Sequence, residues 1–301
     1  MNQIVADILL HPYYYGTLPI RWRLNARRKA RGECPIMAMF YHRVADDFPS
    51  CWTISTKRFA QQIQWLRRHY PIISLHEAQH CIAGKLNTRP VVSITFDDGY
   101  ADNNAFALPM LIRLKVPFTY FVAVDHVTSG ASFTHDVAAG HRHRINTPDE
   151  LRVLANAGVE IGLHTRTHAD LGRVYDYGQL YDEVVTAGRE LAQIVGRPIR
   201  YFAFPYGLQT NMTAEAFYVA RQAGYLGVCS AYGGYNFPGD DPFHIQRFHA
   251  DPAWIRWKNY VTVDPRKIRK TERFDDTLDQ ATAEAISRSA EQQQEIPCCV
   301  E

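Results

Sequence analysis

Residues 91–99 of this 301-residue chain have the sequence Val-Val-Ser-Ile-Thr-Phe-Asp-Asp-Gly. Val91–Phe96 has the length and the β-branched, apolar composition of a buried strand. Asp97 and Asp98 follow it directly, and adjacent carboxylates repel each other in a low-dielectric site unless a cation binds one of them. Gly99 allows the sharp turn that such a site needs. Taken alone, the segment fits a metal site and an ordinary helix N-cap equally well.

Apolar runs of this kind recur along the chain and alternate with stretches of helical periodicity. The other predicted strands are Ile36–Tyr41, Phe118–Val124, Val159–Leu163, Tyr201–Phe204, Tyr225–Cys229 and Ile245–Phe248. Two helices are predicted to begin at Ser55-Thr56 and at the Thr147–Glu150 capping box. Three more are predicted over Leu180–Val195, Thr213–Ala223 and Trp254–Val261. A further helix is predicted to follow Val91–Phe96 as far as Lys115, with a kink at Pro109. Short strands separated by helices indicate a parallel sheet covered by helices. A barrel and a doubly wound sheet both fit this pattern.

The composition is that of an ordinary globular protein and excludes several classes. Hydrophobic residues make up 46% and charged residues 21%, which rules out a disordered, collagen-like or coiled-coil chain. The net charge of +2 gives no reason to expect nucleic acid as a partner. No apolar run reaches the ~18 residues of a membrane span, and the amino-terminal residues lack the features of a secretory signal. We therefore expect a cytoplasmic protein or one bound peripherally at the inner face of the membrane.

The two ends of the chain differ in composition from the part between them. Residues 1–35 are predicted to form a basic arm, since six basic residues lie from Arg21 to Arg31 and Asp7 is the only acid before them. Such an arm is typical of a solvated, partly helical extension, and it also fits a helix on an anionic membrane surface. Residues 36–264 are predicted to form the main domain. Residues 265–301 are predicted to be a polar tail, with a solvated helix over Asp279–Ala290.

A second candidate segment follows the predicted strand Val159–Leu163. It has the sequence His164-Thr165-Arg166-Thr167-His168. Two histidines at i and i+4 lie on one face of a helical turn, where they can share a metal ion. Together with Asp98 they offer two imidazoles and one carboxylate and leave open coordination positions. This ligand set suits Zn²⁺ or another divalent transition metal that holds a water.

A third candidate segment ends the predicted strand Tyr201–Phe204. The strand is followed by Pro205-Tyr206-Gly207, a turn that exposes backbone N–H groups and an aromatic ring. Exposed N–H groups of this kind can stabilise an oxyanion. Without the other two segments, a plain turn is the better interpretation.

Three motifs occur in order along the chain, each at the end of a predicted strand. They are Thr-Phe-Asp-Asp-Gly at 95–99, His-Thr-x-x-His at 164–168 and Phe-x-Phe-Pro-Tyr-Gly at 202–207. This combination resembles the polysaccharide deacetylase family, also called the NodB homology domain or carbohydrate esterase family 4, over about residues 90–250. The resemblance implies a distorted (β/α) barrel with about seven parallel strands and one divalent metal ion. It also implies the hydrolysis of N-acetyl, and sometimes O-acetyl, groups on a sugar polymer.

The resemblance assigns roles to individual residues of the three segments. Asp97 resembles the catalytic base of the family. Asp98, His164 and His168 resemble the metal ligands, for which zinc is the first choice and cobalt or nickel are the alternatives. The backbone N–H of Tyr206 resembles the donor to the oxyanion.

The chain departs from the common family pattern in two places. Many members carry an arginine two residues before the proline of the third segment, where this chain has Ala203, and Arg247 near the last strand is the candidate substitute. The usual late Leu-x-His-Asp segment is absent, and a Tyr-His-Arg-Val segment lies at 41–44 instead. This resembles the permuted branch that includes poly-N-acetylglucosamine deacetylases, in which the acid histidine comes from the amino-terminal side. His42 is therefore the candidate general acid, with His249 and His244 as alternatives.

The sequence thus predicts a metal-dependent hydrolase that removes N-acetyl groups from an N-acetylglucosamine-containing polysaccharide, and an exopolysaccharide is the expected polymer. The partner would be an acetylated glycan or a lipid-linked oligosaccharide, with peripheral membrane contact through the basic arm. An amidase acting on a small cyclic or ureido substrate is a second hypothesis. A non-catalytic glycan-binding protein with the same fold is a third, although the intact ligand set and base argue against it.

Overall fold

The computed structural model describes residues 3–268 and 272–294, and its centre is a sheet of parallel strands. The strands are β1 (Ile36–Tyr41), β2 (Arg43–Val44), β3 (Thr53–Ile54), β4 (Val91–Phe96), β5 (Thr119–Val122), β6 (Glu160–Leu163), β7 (Tyr201–Ala203), β8 (Gly227–Cys229), β9 (His244–Ile245) and β10 (Arg247–His249). Eight of them form one sheet in the spatial order β10-β1-β4-β5-β6-β7-β8-β9, and β2 pairs separately with β3. Every pairing between neighbours is parallel.

The two strands at the ends of the sheet are two halves of one extended segment. His244–Ile245 pairs with β8, Arg247–His249 pairs with β1, and Gln246 between them leaves the ladder. The backbone N–H and C=O of Gln246 bond instead to the side chain of Asn236. A single segment therefore nearly closes the sheet into a barrel. This confirms the predicted distorted (β/α) barrel over the doubly wound sheet, and the predicted strand Ile245–Phe248 is divided at Gln246.

Helices surround the barrel, and local sequence signals set several of their ends. The helices are α1 (Gln3–Arg31), α2 (Thr56–His69), α3 (Leu75–Ala83), α4 (Ala107–Arg113), α5 (Val124–Ser129), α6 (Thr134–Ala138), α7 (Pro148–Asn156), α8 (Tyr177–Tyr181), α9 (Ala187–Val195), α10 (Ala214–Gln222), α11 (Trp254–Val261), α12 (Pro265–Ile268) and α13 (Gln280–Gln294). A π-helical turn at Asp182–Thr186 joins α8 to α9. Ser55 caps α2, and Thr147 and Glu150 form the predicted capping box of α7.

The helix predicted between β4 and Lys115 is interrupted, but not at Pro109. A 3₁₀ segment at Ala101–Ala105 is followed by Phe106, whose φ of −142° leaves the helical region, and α4 begins at Ala107. Pro109 is the third residue of α4, a position in the first turn at which the missing N–H of proline has little cost. The predicted kink at Pro109 is therefore wrong.

The pairing of the two longest strands, β1 and β4, determines where the residues that follow them lie. β1 and β4 pair over six consecutive positions, from Ile36 with Val91 to Tyr41 with Phe96. Their carboxyl ends are therefore level, and the residues that follow them, His42 and Asp97, emerge side by side. All twelve residues of the two strands are buried.

Both ends of the chain lie against the barrel where the structure describes them. The basic arm is the helix α1, whose Tyr13 hydroxyl donates to Asp264 at 2.7 Å and whose buried Arg21 donates to the backbone of Asn259. In the carboxyl-terminal stretch, Phe274 stacks on Phe217 and Ile286 of α13 is buried. Residues 272–288 therefore cover part of the barrel rather than extending as a solvated tail. None of the described helices is long and apolar enough to cross a membrane.

Candidate active site

The site lies at the carboxyl ends of the barrel strands, where the three sequence segments meet. His42 follows β1, Asp97 and Asp98 follow β4, and His164 follows β6. The carboxylates and His164 are buried, at 2–3% exposure each. Parallel strands bring their carboxyl ends to one edge of the sheet, which explains why residues from distant parts of the chain converge here.

Asp98, His164 and His168 form a cluster with the spacing of a metal site. One ligand atom from each lies within 4.8 Å of the other two, and no other such cluster is present in the described residues. His164 Nε2 lies 3.5 Å and His168 Nε2 lies 3.3 Å from Asp98 Oδ1. Asp98 Oδ1 is buried and has no hydrogen-bond partner, which is costly unless a cation completes the site.

The tautomer of His164 also fits metal binding. Its Nδ1 lies 2.7 Å from the carbonyl oxygen of Ala203, an atom that can only accept. Nδ1 therefore carries the proton, and the lone pair of Nε2 is directed toward Asp98. A backbone carbonyl that orients a histidine in this way is the common second partner of metal-bound imidazoles. Burial lowers the pKa of His164 to about 4, which keeps the imidazole neutral and available as a ligand.

The two histidines converge through a loop, and the prediction of a helical turn is wrong. Thr165 and His168 both have a φ of +61°, in the left-handed region. Buried Glu183 holds this loop, because its carboxylate accepts hydrogen bonds from the backbone N–H groups of Arg166 and Thr167 and from the Thr167 hydroxyl, at 2.7–3.0 Å. Glu183 lies in the π-helical turn, a feature that often occurs near functional sites.

Asp97 is held by Arg247 from the strand that closes the barrel. Arg247 Nη1 donates to Asp97 Oδ1 at 2.7 Å, and Nη2 donates to Oδ2 at 2.9 Å. The guanidinium also donates to Thr95 Oγ1, at 2.8 Å, and to the carbonyl oxygen of Ser230, at 3.0 Å. Burial is the largest influence and raises the pKa of Asp97, but the charge and hydrogen bonds of Arg247 together with nearby His164 and His42 more than offset it, so the net shift is downward and the carboxyl is ionised.

The guanidinium of Arg247 is fully buried and lies between two aromatic rings. Its Cζ is 5.0 Å from the centre of the Phe40 ring and 5.2 Å from that of Phe121. Such contacts stabilise a desolvated cation. Arg247 therefore has a fixed position.

His42 faces the cluster from the end of β1. Its Nε2 lies 3.9 Å from Asp98 Oδ2, and its ring lies 4.7 Å from Trp52 and 6.0 Å from His249, centre to centre. Burial lowers the pKa of His42 despite the nearby charges of Asp98 and Asp97. Asn103, which is fully buried, clamps the backbone on both sides of this residue: it donates to the carbonyl of His42 and accepts from the N–H of Val44, both at 2.8 Å.

The two alternative histidines are placed differently. His249 is beside His42 and Trp52 at the mouth of the barrel, and burial lowers its pKa to about 3. His244 lies in β9, where its Nε2 bonds to Ser230 Oγ at 3.0 Å and its ring contacts Phe217. The structure therefore places His42 and His249, but not His244, within contact of the site.

Tyr206 lies at the rim next to the metal-ligand cluster. It has a φ of +60°, its side chain is 57% exposed, and its ring centre is 5.2 Å from that of His168. A Cβ on the following residue, Gly207, would lie only 2.7 Å from Ala231, so this turn requires glycine. Within the described residues the N–H of Tyr206 has no hydrogen-bond acceptor. Trp52 and Phe48 are also exposed, on the side of His42 and His143 respectively.

Sequence comparison identifies the class of protein to which this arrangement belongs. Residues 84–228 match the family model described as polysaccharide deacetylase. The chain is 25% identical over 208 residues to the putative polysaccharide deacetylase YxkH of Bacillus subtilis (strain 168), which covers 68% of each protein. It is 32% identical over 125 residues to a chitooligosaccharide deacetylase of Bradyrhizobium sp. (strain ANU 289), covering 40% of this chain and 48% of that protein.

Solved structures share the fold. IcaB from Ammonifex degensii superposes with a TM-score of 0.62 at 24% identity, over 76% of this chain and 98% of that one. The Streptococcus pyogenes deacetylase PplD superposes with a TM-score of 0.63 at 18% identity, over 77% and 99%. Residues 84–228 are thus similar in sequence to the polysaccharide deacetylase family, and the chain shares the fold of solved deacetylases.

The structure brings together six of the predicted site side chains and shows two more that sequence reasoning missed. The predicted ones are Asp97, Asp98, His164, His168, Arg247 and His42. Glu183 and Asn103 were missed because each acts on backbone groups of a loop, a role that has no spacing signature. For Glu183 the one available signal was a carboxylate within a predicted helix that is otherwise apolar on its buried face.

Proposed function

We propose that the protein is a metal-dependent N-deacetylase of an N-acetylglucosamine-containing polysaccharide, and that the natural polymer is an exopolysaccharide. The single observation that carries this proposal is the buried Asp98–His164–His168 cluster beside Asp97. Asp98 Oδ1 has no hydrogen-bond partner, and the Nε2 atoms of both histidines are within 3.5 Å of it. Two imidazoles and one carboxylate with open positions form the donor set of a catalytic zinc site.

Asp98, His164 and His168 would hold the metal, with zinc as the first choice and cobalt or nickel as alternatives. When bound, such an ion polarises a carbonyl and lowers the pKa of a water from ~15.7 toward ~7. Asp97, the neighbouring carboxylate, is kept ionised by Arg247 and is placed to accept the proton of the attacking water. The hydrogen bonds from Arg247 also fix the plane of the carboxylate, so the base enters the reaction already oriented.

Two further groups act on the tetrahedral centre and on the leaving amine. The unpaired N–H of Tyr206 donates to the oxyanion. Nε2 of His42 protonates the leaving nitrogen, because an amide anion is a very poor leaving group. A lowered pKa makes protonated His42 a stronger acid toward that nitrogen.

The rim of the site supports a polymeric sugar as substrate. Trp52, beside His42, and Tyr206, beside His168, are each about half exposed, and exposed aromatic rings provide stacking faces for the apolar sides of sugar rings. A small cyclic amide would require these rings to enclose it. The exposed rim therefore favours a glycan over the amidase hypothesis.

The test is acetate release from poly-N-acetylglucosamine oligomers by the purified full chain, with and without a chelator and after Zn²⁺, Co²⁺ or Ni²⁺ is restored. Release that the chelator abolishes and a metal restores supports the proposal. Stoichiometric metal without acetate release from any N-acetylated glycan would overturn the substrate class. Acetate release that a chelator leaves unchanged, in protein shown to be metal-free, would overturn metal dependence.

A further inference from the structure

Helix α1 has one face that packs on the barrel and one that does not. On the packed face, Tyr14 and Arg21 are buried, Arg21 Nη1 donates to the carbonyl of Asn259 at 3.0 Å, and its Nε donates to Thr17 Oγ1 at 2.9 Å. The Tyr13 hydroxyl donates to Asp264. These buried contacts fix the rotation of the helix about its axis, and they therefore define which residues face outward.

The outward face carries a stripe of large apolar side chains, Ile8, Tyr15, Leu18 and Trp22. They follow one another at intervals of seven, three and four residues, so they share one side of the helix. All four are exposed, and Trp22 is 77% exposed, the highest value among the tryptophans of the described residues. From Ile8 to Trp22 the stripe extends about 21 Å at ~1.5 Å per residue. Leu9 and Ile20 are also exposed but lie off the stripe, and together these side chains give α1 a large exposed apolar area, which indicates a binding surface.

Helix α1 also carries basic residues, and the structure shows which of them are exposed and make no ion pair within the described residues. Arg21 is buried, and Arg28 is half-buried with its guanidinium 5.8 Å from the centre of the Phe237 ring. Arg23, Arg27 and Lys29 are exposed, and their side chains make no ion pair within the described residues. The sequence has no acidic residue from Ile8 to Arg31. The outward surface is therefore apolar and uniformly positive.

The carboxyl end of helix α1 joins the barrel at the end opposite the site. Helix α1 runs through Gly32 to the amino end of β1, where Glu33 bridges to Asn87 before β4 begins. The metal-ligand cluster follows the carboxyl ends of β4 and β6.

We propose that the outward face of α1 binds an anionic phospholipid surface. Tryptophan and tyrosine side chains favour the headgroup region of a bilayer, and leucine and isoleucine enter its acyl boundary. Arg23, Arg27 and Lys29 supply the charge that anionic headgroups attract. The complementary charge and the parallel apolar stripe select a lipid surface over a neutral protein groove. The proposal is independent of the proposed function, since it uses no residue of the site.

The experiment is co-sedimentation of the full chain with vesicles of phosphatidylcholine alone and of phosphatidylcholine mixed with phosphatidylglycerol. The aromatic variant is Tyr15→Ser with Trp22→Ser. The charge variant is Arg23→Gln with Arg27→Gln and Lys29→Gln. The matched control is Lys57→Gln with Arg142→Gln and Arg173→Gln, three exposed basic residues on the side of the site. Acetate release is measured for each variant as a check of folding, because none of the changed residues of α1 contacts the site.

We expect the wild type to bind the mixed vesicles more tightly than the neutral ones by about tenfold or more, with the difference reduced by added salt. The charge variant should lose most of this difference, the aromatic variant should lose binding to both vesicles, and the control should match the wild type. Equal binding to neutral and anionic vesicles would overturn the proposal. So would a control variant that loses as much binding as the charge variant. A dimer that depends on Trp22, with no vesicle binding, would assign the face to a second copy of the chain.

Discussion

Arg247 and Asp97 are 150 residues apart in the sequence and meet through two parallel hydrogen bonds of 2.7 and 2.9 Å. Both are buried, and the arginine is on β10, which is separated from β4 by β1. The guanidinium therefore reaches the base from the closing strand, whereas the third segment, which carries the corresponding arginine in many members of the family, has Ala203. The positive charge beside Asp97 therefore comes from the closing strand and not from the third segment.

The pairing predicts that lysine cannot replace this arginine. Arg247→Lys retains a positive charge but loses the planar fork that binds both oxygens of Asp97. We expect kcat for acetate release to fall by about 10²-fold, with metal content unchanged. Arg200→Lys is the matched control, because Arg200 also pairs with a carboxylate, Glu160, but away from the site. Wild-type kcat in Arg247→Lys would show that orientation of Asp97 contributes nothing.

Glu183 is predicted to set the affinity for metal without being a ligand. Its carboxylate fixes the loop that carries His168 through two backbone N–H groups and the Thr167 hydroxyl. Glu183→Gln keeps the size of the side chain but replaces one acceptor oxygen by a donor, and zinc affinity should fall by about 10- to 100-fold. Competitive zinc titration of the apoprotein measures this change. Glu215→Gln, in the first turn of α10 and away from the loop, is the control and should bind zinc as the wild type does.

Asn103 is predicted to stabilise the protein and to position His42. Two hydrogen bonds of its fully buried side chain end on the backbone around His42. Asn103→Ala leaves the N–H of Val44 and the C=O of His42 without this partner, which should lower the free energy of unfolding by about 1–3 kcal/mol. Urea denaturation measures it, and Asn156→Ala on the exposed end of α7 is the control. An equal loss in both variants would contradict the prediction.

The ring and the backbone of the turn at Tyr206 are predicted to have separable roles. Tyr206→Ala removes the exposed ring but keeps the N–H, so KM for oligomers should rise while kcat stays within a few-fold of the wild type. Gly207→Ala places a Cβ 2.7 Å from Ala231 at a positive φ, so the turn must shift and kcat should fall. Steady-state kinetics on oligomers of several lengths distinguish the two effects. A fall in kcat for Tyr206→Ala with KM unchanged would contradict the proposed role of the ring.

The sequence predicts the parts of this fold that local signals determine. The bounds of β1, β4 and α11 agree with the prediction because their apolar pattern defines them within a few residues. The division of the last strand at Gln246 could not be predicted, because it depends on Asn236, which displaces the ladder hydrogen bonds through tertiary contact. The packing of the carboxyl-terminal stretch on the barrel also could not be predicted, because it depends on tertiary contacts of single apolar residues, such as Ile286, in a mostly polar segment.

The candidate site, like the fold, could be predicted only in part from the sequence. The candidate ligand set and the proposed base could be predicted from the sequence because the residues of each segment are close together in it. The loop conformation of residues 164–168 could not be predicted from the sequence, because it depends on Glu183 in another element. Glu183 holds the loop in which Thr165 and His168 have a left-handed φ. The resemblance to the family indicated that an arginine should act on Asp97, and only the register of β10 with β1 shows how Arg247 reaches it.

The most direct test of the central claim compares Asp97→Asn with His164→Ala in metal content and acetate release, measured on the same preparations. Asp97 is proposed as the base and His164 as a ligand, so the two variants should separate the two properties. We expect Asp97→Asn to retain one equivalent of metal and to lose about 10²- to 10⁴-fold in turnover, and His164→Ala to lose both metal and turnover. Turnover near the wild-type level in Asp97→Asn, or full metal content in His164→Ala, would contradict the account.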